Sequence, residues 1–423
     1  MSHSSGHVVI APDKFRGSLT AAEVAAHVAA GLGPDVATVT LPVADGGDGT
    51  VDAVVACGFT RVEVEVTGPA GNPVRAAYAW RDSGAAGAAG AAGLTGDTGA
   101  PGTAHVGGDV PTAVVELAEA SGLRRLPTVR EGLSGTGEVE RAPLTATSHG
   151  TGELIAHAVR RGARRIVLGL GGSASTDGGA GMMRALGVRF LDAAGRELPP
   201  GGAALLDLEK IDKSGLVVMD GVEFVVAADV DNPLLGPYGA AAVYGPQKGA
   251  GPGDVEVLER ALARLAAVAA HTHGLVGAIE HDGVVRPMGV AAQPGAGAAG
   301  GTGFAALAFL GAEFRPGIDH LLDLLGFHDR LRGARLVVTG EGSLDEQTLR
   351  GKAPAGVAAA AAKAGVPVVA VCGRRALGDD ELNAAGVTAA YALTDIEPDP
   401  ARCVSDAGPL LERLARRVAE RHL

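Results

Sequence analysis

Cysteine is almost missing from this chain: Cys57, Cys372 and Cys403 stand alone in 423 residues. Three widely spaced thiols make no metal-type pair and no disulfide framework, so each is expected to be a small buried side chain. Lysine is scarce too, confined to Lys14, Lys210, Lys213, Lys248, Lys352 and Lys363. With a formal net charge of -12, the chain offers little to nucleic acid or to an anionic membrane. Residues 1–7 lack the cationic and apolar parts of a signal peptide. Residues 290–312 are uncharged, but Pro294 and many glycines make them a poor spanning helix, and residues 355–371 are interrupted by Lys363 and Pro367. A cytoplasmic location is expected.

Several signatures are missing as well. No Gly-x-x-x-x-Gly-Lys-Ser/Thr loop is present, Gly169-Leu-Gly-Gly172 does not complete a dinucleotide fingerprint, and no Gly-x-Ser-x-Gly elbow occurs. P-loop chemistry, a dinucleotide site and an elbow-type hydrolase all lose support.

What is present is a repeated grammar: a short apolar run, then glycines mixed with carboxylates and cations. Val8-Val-Ile10 leads into Ala11-Pro-Asp-Lys-Phe-Arg-Gly-Ser18. Leu41-Pro-Val-Ala44 leads into Asp45-Gly-Gly-Asp-Gly-Thr50. Ile166-Val-Leu168 leads into Gly169-Leu-Gly-Gly-Ser-Ala-Ser-Thr-Asp-Gly-Gly179. A run ending at Ala228 leads into Asp229-Val-Asp-Asn-Pro233, and Tyr244-Gly-Pro-Gln-Lys-Gly249 follows. Leu336-Val-Val338 leads into Thr339-Gly-Glu-Gly-Ser-Leu-Asp345, with Thr348, Arg350 and Lys352 close behind. Buried parallel strands read as short apolar runs, and ligands collect where such strands end. Glycine lets backbone approach a phosphate closely, and free N–H groups at a helix start attract anions. Three of the six lysines (Lys14, Lys248, Lys352) fall inside these segments.

The length predicts two domains. Thr20 followed by Glu23 predicts a capped helix over residues 20–32, and the alternating Val62, Val64 and Val66 predict a half-exposed hairpin over residues 60–80. Residues 111–121 read as an amphipathic helix, and strands alternate with helices from residue 335 onward. The fold class expected is α/β: a Rossmann-like, mostly parallel sheet domain from residues 1–59, 127–188 and 290–423, with a second, smaller mixed α/β domain inserted from residues 60–126 and 189–289. The active site is expected in the cleft between them. Residues 83–108, rich in Ala and Gly, read as a flexible insertion without chemistry.

Cations beside carboxylates and hydroxyls suit phosphoryl transfer. Candidate magnesium ligands or bases are Asp45, Asp48, Asp177, Asp229, Asp231, Glu341 and Asp345. Magnesium usually takes one or two carboxylates, so not all of these bind it. Lys14, Arg16, Lys248, Arg350 and Lys352 are candidate clamps on phosphate or carboxylate. The loop Gly171, Gly172, Ser173 and Ser175 is expected to open a helix and to offer N–H groups to an anion. The plainer alternatives are that Asp177 caps that helix, that Asp231 makes an Asx turn, and that Asp45 and Asp48 shape one.

Taken in order along nearly the whole chain, these segments, with Pro294-Gly-Ala-Gly-Ala-Ala-Gly-Gly301, resemble the bacterial glycerate kinase family, which is unrelated to P-loop kinases. The resemblance implies ATP-dependent phosphorylation of D-glycerate with magnesium, 2-phosphoglycerate being favoured over the 3-isomer. On that basis Lys14, Arg16, Ser18 and the 171–175 loop are expected at phosphate, and Lys248, Arg350 and Lys352 at substrate. Asp177 or Asp45 is expected as base, with Asp229, Glu341 or Asp345 near magnesium. Relatives usually read Asp-Ser-(Phe or Tyr)-Lys in the first motif. Here Lys14 takes the serine place and Arg16 the lysine place, so a planar fork replaces a compact ammonium. A kinase for another small hydroxy acid, or a non-catalytic binder of sugar acid or nucleotide, are the alternatives.

Overall fold

The computed structural model describes residues 6–84, 110–129, 138, 139, 141–217, 219–273, 276–281 and 284–423. The bulk of the Ala- and Gly-rich insertion, from residue 85 on, lies outside the described residues. The chain forms two compact units, Met1–Phe59 with Arg315–Leu423, and Thr60–Phe314.

The first unit is built on a five-stranded sheet. Its spatial order is Ala389–Ala392, Val368–Arg375, Ala334–Leu344, His7–Pro12, Thr38–Thr40, and every neighbouring pair is parallel. Val8, Val9, Ile10, Val337, Val338, Val368 and Val369 are buried, as expected where helices cover both faces. The helices Ala21–Leu32 and Ala407–His422 pack one face through Val24, Val28, Leu411, Leu414 and Val418. Thr20 accepts from the Glu23 backbone N–H while the Glu23 carboxylate accepts from the Thr20 N–H, closing the predicted capping box.

The second unit has a six-stranded mixed sheet ordered Glu313–Arg315, Glu223–Ala227, Arg165–Gly169, Thr112–Glu116, Pro73–Arg81, Thr60–Thr67. The last three form antiparallel pairs, which confirms the predicted hairpin. Thr112–Glu116, Arg165–Gly169 and Glu223–Ala227 run parallel. Tyr78, Trp80, Leu154, Ile166, Leu168, Phe190, Leu262 and Phe304 belong to its core.

Two expectations are corrected. Residues 111–121 are not one helix: Thr112–Glu116 is a fully buried strand, and only Leu117–Ser121 is helical. The β-branched run Thr-Ala-Val-Val fills a sheet position between two partners, and that burial outweighs the helical spacing. The strand Arg165–Gly169 does not join the sheet of His7–Pro12. It pairs with Thr112–Glu116 on one side and Glu223–Ala227 on the other, so residues 127–188, and 290–314 with them, fall in the inserted unit. That unit is therefore the larger one. An apolar run announces a parallel strand without naming its partners.

Candidate active site

In the first unit the chain leaves His7–Pro12 to build Thr38–Thr40 on one side, then returns to build Ala334–Leu344 on the other. Ligands of open parallel sheets bind at the carboxyl ends of strands beside such a reversal. Three acids stand there. Asp13 follows its strand directly, and its N–H donates to the Gly340 carbonyl at 2.8 Å. Glu341 is the next residue on that neighbour. Beyond Thr38–Thr40 the chain stays paired, Leu41 N–H to Ile10 O at 2.8 Å and Val43 N–H to Pro12 O at 3.0 Å, and this carries Asp45 to the same edge.

Their electrostatics follow from that crowding. Burial and the nearby Asp45 push the Asp13 carboxyl up to about 7, against the pull of the Lys14 N–H and charge. Burial also raises Glu341, although Thr348 Oγ1 donates to it at 2.5 Å and Lys352 Nζ stands 3.6 Å away. Asp45 accepts from the Gly47 N–H at 3.0 Å. Asp345 accepts from the Gln347 N–H at 3.0 Å and shapes the turn below Glu341.

The expected cations divide. Lys14 Nζ donates to the Asp48 carboxylate at 2.8 Å and to the Asp48 carbonyl, so Asp48 already holds it. Arg16 is exposed and forms no ion pair among the described residues. Ser18 Oγ donates to the Phe15 carbonyl at 3.2 Å, which tightens the loop. The side chain of Arg350 lies outside the described residues.

In the second unit, Lys248 is fully buried and its Nζ donates to the Ser175 carbonyl at 2.5 Å. Burial brings its pKa down to about 7, against the opposing charge of Asp177. Ser175 Oγ and Thr176 Oγ1 are buried and have no partner among the described residues. The chain beside them is strained. Ala299 has φ 52°, and a Cβ on Gly300 would meet Ser175 O at 2.2 Å and Lys248 Nζ at 2.8 Å. A buried ammonium held by one neutral acceptor, two unused hydroxyls and strained backbone in one place make this a candidate site.

Other expectations for this unit change. The Gly171, Gly172, Ser173 and Ser175 loop does not open a helix, since the next helix begins at Ala180. The loop is tied instead to residues 121–123, Ala174 N–H to Ser121 O at 3.0 Å and Leu123 N–H to Gly172 O at 3.0 Å. Asp177 is fully buried and surrounded by donors. Its Oδ2 accepts from Ser148 N–H at 2.8 Å, Ser148 Oγ at 2.9 Å and Gly181 N–H at 3.2 Å, and its Oδ1 from Gly179 N–H at 3.1 Å. A carboxylate so fully engaged braces two chain segments and has little capacity left for an acceptor proton. Asp229 and Asp231 are exposed beyond the strand Glu223–Ala227. The three acids expected near magnesium therefore divide between the units, Glu341 and Asp345 in the first and Asp229 in the second.

Asp13 was absent from the residues singled out for catalysis, although the signal was available: it is the first acid after an apolar run. The metal question turns on chemistry more than on count. Among the described residues no three His, Cys, Asp or Glu side chains are close enough to hold a metal ion. Magnesium asks for only one or two carboxylates plus phosphate and water oxygens, and the raised carboxyl at Glu341 is what a divalent cation would relieve. The donor set fits.

The model of the glycerate kinase family matches residues 8–423. A Bacillus subtilis protein named glycerate kinase is 39% identical over 417 residues, covering 97% of this chain and 96% of its own. An Escherichia coli protein named glycerate 2-kinase is 40% identical over 372 residues, covering 86% and 84%. A crystal structure from Salmonella typhimurium LT2, assigned to a glycerate kinase 2, superposes with a TM-score of 0.75 at 39% identity, covering 98% of this chain and 97% of that one.

Proposed function

This chain belongs to the glycerate kinase family, and from that premise we propose that it transfers the terminal phosphoryl group of ATP to the 2-hydroxyl of D-glycerate. The observation that carries the reading is the carboxylate group at the sheet reversal, where burial and Asp45 leave Asp13 able to take up a proton near neutral pH. A base matched to the working pH is what removal of an alcohol proton requires. Phosphoryl transfer asks little more covalent work of the protein, and the rest is positioning and charge neutralisation.

Asp13 accepts the proton of the acceptor hydroxyl, with Asp45 beside it keeping its proton affinity high. Arg16, exposed and without an ion pair among the described residues, and Lys352 meet phosphate oxygens. Glu341 would hold magnesium, which supplies neutralisation of phosphate charge when bound. Lys248, with Ser175 and Thr176 alongside, meets an anion in the inserted unit. The preference for the 2-position is supported by the name of the Escherichia coli relative.

ADP release from ATP and magnesium, measured with and without D-glycerate, tests the transfer, and phosphorus NMR of the product reads the position. Release that depends on D-glycerate and a phosphate coupled to the C2 proton are expected. A rate that appears only with a different hydroxy acid overturns the acceptor, and a terminal phosphate ester overturns the position.

A further inference from the structure

Glu341, in the first unit, turns its two carboxylate oxygens to different partners. Thr348 Oγ1 donates to Oε1 at 2.5 Å, while Lys352 Nζ stands 3.6 Å from Oε2. The hydroxyl is itself fixed. Thr348 is buried, its N–H donates to the Asp345 carbonyl at 2.9 Å, and its Oγ1 accepts from the Asp345 N–H at 3.0 Å. The Ser343 carbonyl lies 3.5 Å from that oxygen, a much weaker claim on its proton. Lys352 is anchored through its backbone: its carbonyl accepts from the Ala355 and Gly356 N–H groups, both at 3.1 Å, at the start of the helix Ala353–Lys363. Its side chain is 32% exposed.

A charge-assisted N–H···O bond closes to about 2.7–2.9 Å. At 3.6 Å the ammonium compensates the carboxylate without being bonded to it, and its four-carbon stem is flexible. The two oxygens thus differ in commitment. Oε1 is locked by a short bond from a stiff, β-branched neighbour, and Oε2 faces a cation that can leave. A carboxylate held in one orientation with one oxygen presented to a cation suits a divalent ion, and hydrogen bonds that orient a ligand in this way set metal affinity. We propose that Thr348 presets Glu341 for a divalent cation and that Lys352 keeps the place of that cation at Oε2, moving to the nucleotide's phosphates once the cation is bound. Like charges repel, so the ammonium and a metal ion do not share one oxygen at contact. Without nucleotide they compete; with nucleotide the polyphosphate draws the ammonium away and the competition ends. The inference deepens the kinase reading and rests on it only for the identity of the phosphate donor. Thr348, a hydroxyl among charges in the sequence, becomes a positioning residue.

Titration of Mn2+ into the full chain without nucleotide, read by the paramagnetic resonance of the free ion, tests both roles. Lys352→Met is expected to tighten Mn2+ binding roughly threefold or more, because the rival charge is gone. Thr348→Val is expected to weaken it roughly tenfold or more, and Thr348→Ser to restore it. In a Glu341→Gln background the effect of Lys352→Met should vanish, which separates this oxygen from the other carboxylates of a chain with a formal net charge of -12. With both substrates present, Lys352→Met should raise KM for ATP and leave KM for D-glycerate unmoved. Mn2+ binding unchanged or weakened in Lys352→Met, or tightened equally without Glu341, overturns the exchange. That arm stands even where Thr348→Val fails to fold. A folded Thr348→Val that binds Mn2+ as the wild type does, or a Thr348→Ser that binds it tenfold more weakly, overturns the presetting. A wild-type chain that takes up no Mn2+ overturns both. Tighter binding in Lys352→Met, in a protein that releases no ADP with any hydroxy acid, would sink the kinase reading and leave the exchange standing.

Discussion

The ammonium of Lys248 and the carbonyl oxygen of Ser175 stand 2.5 Å apart in a fully buried setting. One neutral acceptor does not repay the desolvation of a charge, so the group holds its proton weakly, with a pKa brought down to about 7. The unfolded lysine titrates near 10.5, so between those values the unfolded chain binds more protons, and stability rises with pH across that window. Removing the amine should therefore help most where the amine is charged. Lys248→Met is expected to be more stable than the wild type at pH 6, and to lose that advantage by pH 10. The difference scales at about 1.4 kcal/mol per unit of depression. Urea unfolding of both proteins at the two pH values checks it, and the same variant should lose at least about tenfold in turnover if Lys248 meets an anion.

Asp13 presents the opposite sign. Its carboxyl is raised to about 7, so above the ordinary carboxylate range the folded chain holds a proton that the unfolded one has lost. The resulting destabilisation is absent below about pH 4, grows through the window up to 7, and is complete above it. Asp13→Asn should unfold at higher temperature than the wild type at pH 8 and at nearly the same temperature at pH 4. With its base removed, its turnover should fall by roughly a hundredfold or more, within the range expected for general-base catalysis. Equal melting at both pH values would refute the assignment of strain to that carboxyl.

Asp177 is expected to fail differently. Its donors tie the segment at Ser148 to the start of the helix at Ala180, so Asp177→Asn leaves several buried N–H and O–H groups facing an amide. A loss of roughly 2–4 kcal/mol in stability is expected from breaking such a buried, charge-assisted set. Turnover per folded molecule, taken well below the unfolding transition, should fall by less than about tenfold. A fully stable but inactive variant would restore Asp177 as a catalytic base.

Gly300 tests the strained loop. With φ +68° and only 2.2 Å between an added Cβ and the Ser175 oxygen, Gly300→Ala must displace backbone as well as adopt a disfavoured conformation. The carbonyl that holds Lys248 would move with it. A loss of about 2 kcal/mol or more is expected, read by chemical denaturation, together with reduced activity in the part that remains folded.

Much of this was legible beforehand, because local chemistry carries it. Thr20 and Glu23 specify a cap by spacing alone, and the alternating valines from Val62 specify a hairpin face. The strand-end acids Asp45 and Glu341 announced themselves by following apolar runs. Pairing between distant strands is not written locally. Ile166-Val-Leu168 and Val8-Val-Ile10 look alike, yet they sit in different sheets. The same blindness applies to Asp177, whose five-residue surroundings suggest chemistry and two of whose donors arrive from the distant Ser148.

The sheet of the outer unit has a further consequence. Its first strand in sequence, His7–Pro12, lies beside the central strand Ala334–Leu344, with Val8 paired to Leu336. During synthesis that neighbour emerges only after the whole inserted unit, a delay on the order of tens of seconds at ordinary elongation rates. Meanwhile a run of valine and isoleucine at the nascent amino end has no sheet to join on that side. The strand His7–Pro12 thus waits for its inner neighbour until synthesis has passed residue 344, while the inserted unit between them is already complete in sequence.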